Sequence, residues 1–488
     1  MNRTAPSGAN TFPAPQPALA DLDGDGKPEV IQGRVILNGE DGTVAGTGTG
    51  DLGVNGFLGP VATTGDLDLD GRPEVLAGGT AYDPAAATRW AFTFPTPATT
   101  TMCQQLPCDG FTATGNFDAD DQGEVVIVRG GTIHVLEHDG TELMVGGAPV
   151  RIAIPRDDCG KNEGGPPTVA DFDGDGRAEI GVAAADFYVV ADLDCLATPL
   201  PAECSDPGIR WKVPNFDCSS RVTGSSVFDF DSDGKAEVVY ADEQNFRILD
   251  GATGAVRLML ANRSRTRLEM PIVVDVDNDG NAEVIFVENT TAASGGTQGI
   301  RVIGDATDSW AATRRVWNQH AYHITNISEL GQIPTSEPAN WRVDTPNTVS
   351  GKLNTFRQNL PEFDALAAPD LTVFLSLVPI GCTLQARVCN EGDVVVGGGV
   401  PVRFYDNTTM TEITCEGGPQ VTPGPLPPGA CVDVACVWTG APAQVDVRAC
   451  VDNGGHECQA STSSDNNECH EDNNRSDASG AFNCVPTG

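Results

Sequence analysis

Asp171-Phe172-Asp173-Gly174-Asp175-Gly176-Arg177-Ala178-Glu179 runs straight into Ile180-Gly181-Val182. Acids stand at the first, third, fifth and ninth positions, a glycine at the sixth, and a short apolar run follows. The pattern D-x-D-x-D-G-x-x-E recurs six times, beginning at Asp21, Asp66, Asn116, Asp171, Asp229 and Asp275, at intervals of 45, 50, 55, 58 and 46 residues. About 40–50 residues is the length of four short strands, one blade of a β-propeller.

The flanks agree with strands. Pro271-Ile272-Val273-Val274 precedes the sixth copy, and Val125-Val126-Ile127-Val128 and Val284-Ile285-Phe286-Val287 follow the third and sixth. Short runs this rich in Val and Ile read as buried strands. Asn38-Gly39, Asp139-Gly140 and Asp250-Gly251 supply the positive φ that tight hairpins need. No long amphipathic helix interrupts the repeats, so the expected fold class is all-β.

Calcium takes six to eight oxygens at about 2.3–2.6 Å, and carboxylates at alternate positions of a curled loop can all point inward. The first, third and fifth positions are Asp21, Asp23 and Asp25; Asp66, Asp68 and Asp70; Asn116, Asp118 and Asp120; Asp171, Asp173 and Asp175; Asp229, Asp231 and Asp233; and Asp275, Asp277 and Asp279. The seventh residue would offer a backbone carbonyl: Lys27, Arg72, Gln122, Arg177, Lys235 and Asn281. The ninth brings the last carboxylate: Glu29, Glu74, Glu124, Glu179, Glu237 and Glu283. About six Ca²⁺ sites are therefore expected. The third is expected to be the weakest, because Asn116 is neutral and Asp121 stands where the others have glycine. An EF-hand needs Glu at the twelfth position; here that position holds Gln32, Ala77, Ile127, Val182, Tyr240 and Phe286.

The six loops resemble the FG-GAP and VCBS repeats of integrin-like propellers and bacterial surface proteins, over roughly residues 15–300. The resemblance implies a propeller whose calcium loops join the first two strands of each blade. Glu at every ninth position departs from integrins, where Asp is usual, so the likeness is one of architecture rather than ligand.

Residues 300–365 carry no acidic loop. They are expected to form a metal-free closing blade, making seven, with six or eight as alternatives. His320 and His323 within Arg314-Arg315-Val316-Trp317-Asn318-Gln319-His320-Ala321-Tyr322-His323 are expected to pack and hydrogen-bond rather than to hold a metal. From Pro369 onward short alternating strands, such as Leu384-Gln385-Ala386-Arg387-Val388, suggest a β-sandwich. That module resembles the CARDB domain, an immunoglobulin-like module linked with adhesion. The expected division is 1–365 propeller, 369–476 sandwich and 477–488 tail.

The chain has 488 residues, 68 acids against 29 Lys and Arg, and a net charge of −39. Such a field repels nucleic acid and anionic membrane and attracts cations. Fifteen cysteines without a CxxC pair point to disulfides in an oxidising compartment, with Cys484 the expected odd thiol. No signal peptide is visible at the start, and the sequence is expected to begin downstream of one. No GxSxG, HExxH or Walker loop occurs. The expectation is a secreted or cell-surface module that binds a surface protein or glycan without catalysis. The alternatives are a structural spacer, self-associating or within a larger surface assembly, and a calcium-dependent polysaccharide lyase.

Overall fold

A computed structural model describes residues 15–483, apart from 57, 96–106, 158, 160–162, 268, 278, 290–297, 307–308, 329–330, 346–347, 362–370, 379–380, 392–395, 428, 439–443 and 453–473. The chain divides into two compact units, residues 1–275 with 282–361, and residues 276–281 with 362–488.

The first unit is a succession of small antiparallel sheets. Ala18–Ala20, Glu29–Gln32, Val35–Leu37 and Val44–Thr47 pair in chain order as the first sheet. The second, fourth and fifth repeat this order, starting at Thr63–Gly65, Thr168–Ala170 and Ser226–Phe228. In the third, Phe111–Gly115, Glu124–Arg129 and Thr132–Leu136 are joined by Arg151–Ala153, after a small hairpin. The sixth has three strands, Ile272–Val274, Glu283–Asn289 and Gln298–Ile303. In every sheet the acidic loop joins the first and second strands.

The first strand of each sheet lies beside the first strand of the next. Thr63 Oγ1, for example, donates to the Thr112 carbonyl at 3.0 Å. Second strands are sandwiched between neighbouring sheets, which is why their sequences are apolar without alternation: Val125, Val126, Ile127 and Val128 are all fully buried. Fourth strands are more exposed, as in Thr88–Ala91 and Val256–Ala261.

The segment after the sixth sheet does not form the expected closing blade. Among the described residues of 304–361 there are two 3-10 turns, Ile324–Asn326 and Asn340–Arg342, and no strand. Instead the segment runs across the first strands and the acidic loops. Gln319 bonds both backbone groups of Leu19, Asn354 bonds both those of Asn116, Phe356 pairs with Val169, Gln358 with Val227, and Asn359 donates to the Val273 carbonyl. Its polar side chains go to backbone partners, so it has no spare ladder to offer a new sheet. His323 fits the packing expectation. It is 2% exposed and pairs with Glu337 and the Ala321 carbonyl. His320 lies against the Arg357 guanidinium, and burial pushes it well below its ordinary pKa.

In the second unit, Leu371–Val378, Thr383–Asn390 and Cys431–Val437 form one sheet, while Pro401–Asp406 centres another with Thr411–Glu412, Gln420–Val421 and Val447–Val451. Both contribute to one core that includes Leu384, Val388, Phe404, Val434 and Val447. Disulfides join Cys389 to Cys431 and Cys415 to Cys436 here, and Cys159 to Cys218 and Cys195 to Cys204 in the first unit. Cys484 lies outside the described residues.

Candidate metal centres

The alternating acids first organise their own backbone. In loop one, Asp21 accepts the N–H groups of Gly24 at 2.9 Å, Asp25 at 3.1 Å and Gly26 at 2.8 Å. Asp66, Asp171 and Asp229 accept from the sixth-position glycines Gly71, Gly176 and Gly234 at 3.0, 2.9 and 2.8 Å. Third- and fifth-position acids accept from the N–H two residues on: Asp23 from Asp25, Asp25 from Lys27, Asp68 from Asp70, Asp70 from Arg72, Asp118 from Asp120, Asp120 from Gln122, Asp173 from Asp175, Asp175 from Arg177 and Asp233 from Lys235. These are the short Asx turns that the D-x-D spacing favours.

The left-handed turn falls at two positions. Gly26, Gly71, Gly176, Gly234 and Gly280 have φ of 83°, 89°, 88°, 85° and 92°. The fourth position is also left-handed, in Gly24 and Gly174 but equally in Leu69 (φ 62°) and Ser232 (φ 54°). Loop three differs, because Asp121 does not adopt positive φ. Asn116 instead donates its side-chain amide to the carbonyls of Asp120 at 2.8 Å and Gln122 at 3.2 Å. Trp341 donates to the Asp121 carbonyl at 3.1 Å and covers Gly123 so closely that a Cβ there would stand 2.2 Å from its ring.

The ninth-position glutamate closes the loop. One oxygen of Glu29, Glu74, Glu124, Glu179 and Glu237 accepts the backbone N–H of the second loop residue, Leu22, Leu67, Phe117, Phe172 and Phe230, at 3.0, 3.0, 2.6, 2.7 and 3.0 Å. The other oxygen faces the remaining acids. Oε1 of Glu124 is buried without a hydrogen-bond donor, and Oε1 of Glu74 and Glu237 accepts no well-aligned hydrogen bond and is met only by the ion pairs with Arg89 and Arg257. Burial pushes Glu124 and Glu237 up to about 8 and Glu74 to about 7; beside Glu124, the charges of Asp118, Glu137 and Asp120 add to the effect. Asp171 and Asp229 are pushed to about 6, again chiefly by burial. Such groups need a proton or a cation.

Carboxylates lie within 4.8 Å of one another at the first, second and third loops: Asp21, Asp23 and Glu29; Asp66, Asp68 and Asp70; and Asp118, Asp120 and Glu137. Glu137, from the turn after the third strand, is a member that the loop motif does not reveal. Arginines also meet several loop acids. Arg89 pairs with Asp68, with Asp70 at 2.8 Å and with Glu74 at 3.1 Å. Arg210 pairs with Asp173 and with Asp192 at 3.3 Å. Arg257 meets Asp231 at 2.6 Å, Glu237 at 3.2 Å and Asp250 at 2.9 Å. At the seventh position, Lys27 reaches Glu40, Lys235 reaches Asp233, and Arg177 joins Asp175 to Asp194. In the sixth loop, Asp275 and Glu283 belong to the first unit and Asp277, Asp279 and Asn281 to the second; Asp279 accepts the Asn281 N–H at 2.8 Å.

The donor set is all oxygen, with three or four carboxylates at one loop. That chemistry suits a hard cation such as Ca²⁺ and not a thiolate- or imidazole-seeking metal.

No family model matches the sequence, and no curated protein resembles it closely enough to count as a match. Solved structures do. The crystal structure of the V. cholerae biofilm matrix protein Bap1 superposes with a TM-score of 0.51 at 19% identity, over 71% of this chain and 77% of that one. The likeness is one of fold. The Photorhabdus luminescens Tc holotoxin pore aligns over 92% of this chain and 20% of that one, at 13% identity and a TM-score of 0.27, too low to bear on the fold.

Proposed function

We propose that this chain is an extracellular adhesion or matrix protein, built as a calcium-loaded β-propeller of six blades with a C-terminal β-sandwich. The observation that carries the metal reading is the ninth-position glutamate. It spends one oxygen on the loop backbone and keeps the other buried among acids, and in Glu124 that oxygen has no donor at all. A divalent cation compensates the charge that burial otherwise forces into protonation. The fold shared with a biofilm matrix protein supports the matrix role, and the disulfides suit an oxidising exterior. The chain binds, without turnover, a polysaccharide or protein of a cell surface, and calcium keeps the binding face in shape.

The test is a melting curve in millimolar calcium and in excess EDTA, paired with retention on matrix polysaccharide under both conditions. The expected result is a higher melting temperature and retention with calcium only. An unmoved melt would dismiss the metal sites. Turnover of the polysaccharide would dismiss the binding role.

A further inference from the structure

Four of the sheets share an irregularity between their third and fourth strands. In the first, Ile36 faces Gly46 and Leu37 faces Val44, so Ala45 is extra. In the second, Ala81 faces Trp90 and Tyr82 faces Thr88, leaving Arg89 extra. In the fourth the extra residue is Arg210, and in the fifth it is Arg257. A β-bulge re-aims the side chain of its extra residue. Here it aims three arginines at the acidic loop of their own sheet. Arg89 and Arg257 stand against Oε1 of the ninth-position glutamates Glu74 and Glu237, at 3.1 and 3.2 Å, and against the fifth- or third-position acids. Arg210 reaches the third-position Asp173. A guanidinium is always charged and matches carboxylates with two parallel donors. It therefore stands where a loop-bound cation would have to stand.

Of the five four-stranded sheets of the first unit, two lack such a guest. In the first sheet the bulge residue is the exposed Ala45. In the third sheet the fourth strand pairs without a shift, and its Arg151 turns to Glu142. There Asp118 and Asp120 are joined by Glu137, and the fully buried Glu124 keeps Oε1 unpartnered beside them.

Resting on the calcium reading above, we infer that the bulge residue decides which loops take metal. Arginine is the built-in cation of the second, fourth and fifth loops. The first and third loops bind Ca²⁺, and Glu137 is a ligand of the third. This reverses the rank expected from sequence, in which the third loop was the weakest.

Calcium alone is the probe, with bound stoichiometry read by calorimetric titration on the full chain. R89A and R257A are each expected to add one site, A45R to remove one, and E137Q to weaken one site at least tenfold. If R89A or R257A fails to fold, A45R decides, since it places the arginine on an exposed bulge. Unchanged stoichiometry in A45R and in the folded arginine variants, with the wild type binding calcium, overturns the inference and leaves the calcium reading standing. So does a wild type already carrying metal at Asp68 or Asp231, as shown by D68A and D231A each losing a site. Absence of binding in the wild type and in E137Q alike overturns both.

Discussion

Between Ala18 and Ile303 a sheet is closed at one end by an acid cluster, which a buried glutamate clamps to its own backbone. Among the described residues between Leu371 and Val451 there is no such loop, and the ties are covalent. Cys389 and Cys431 face each other across paired strands, and Cys415 is bonded to Cys436. Both devices answer one problem, that strands of two to eight residues bury little each. On the calcium reading proposed above, the first would make stability depend on the cations around the molecule; the second makes it depend on the redox state. The first unit also carries Cys159–Cys218 and Cys195–Cys204, so only the second relies on one device alone.

Calcium removal should separate the units most strongly. At about 100 times its dissociation constant, each bound ion adds about 2.7 kcal/mol. Two open loops would therefore lose about 5 kcal/mol in EDTA, while the unfolding of the second unit stays where it was. Differential scanning calorimetry on the full chain checks this; two transitions falling together would erase the distinction. Next in size is Cys389→Ser with Cys431→Ser. The bond spans 42 residues of sequence, for which chain entropy gives about 4 kcal/mol. Urea melts should show that loss in the second unit only.

A smaller effect tests the clamp. Glu124→Ala leaves the half-buried Phe117 N–H without its acceptor, which costs at most about 1–3 kcal/mol. Glu124→Gln keeps an acceptor and removes the need for a proton or an ion. In EDTA the Gln variant should melt at or above the wild type and the Ala variant below it. Equal losses would mean that the loop needs the charge itself. Smallest is Ser232→Gly. Ser232 is exposed and left-handed, so glycine should raise stability by about 1 kcal/mol. A decrease would point to a contact of the hydroxyl.

The sequence made the sheets legible because their cause is local. An acid accepts an N–H two residues away, a glycine turns at position six, and a β-branched run follows; all of this lies within a dozen residues. The ninth-position glutamate was legible as a ligand but not as a clamp, since its second role needs the Leu22 or Phe117 N–H to be placed first. Glu137 and the bulge arginines were not legible, because a one-residue register shift leaves no mark on composition. Arg89-Trp90 and Arg210-Trp211 are the faint signal, each an arginine before the tryptophan that bonds the turn of the next sheet through the His138 and Gly251 carbonyls. The closing segment defeated the reading for a related reason. Its Gln, Asn and Trp side chains act across 300, 238 and 220 residues, at Leu19, Asn116 and Asp121, and no periodicity records where they go.

That segment also sets a schedule. Leu19 leaves the ribosome 300 residues before the Gln319 that bonds both its backbone groups. At ordinary elongation rates the interval is about 15–60 s. Through it the first strand of the first sheet waits with its inner edge unpaired, as do those of the third and fourth, which await Asn354 and Phe356. Non-local pairing is slow and leaves unfinished edges open to other chains. The newborn chain is thus a string of half-built sheets, each able to pair locally, until one late stretch threads past them and locks the set.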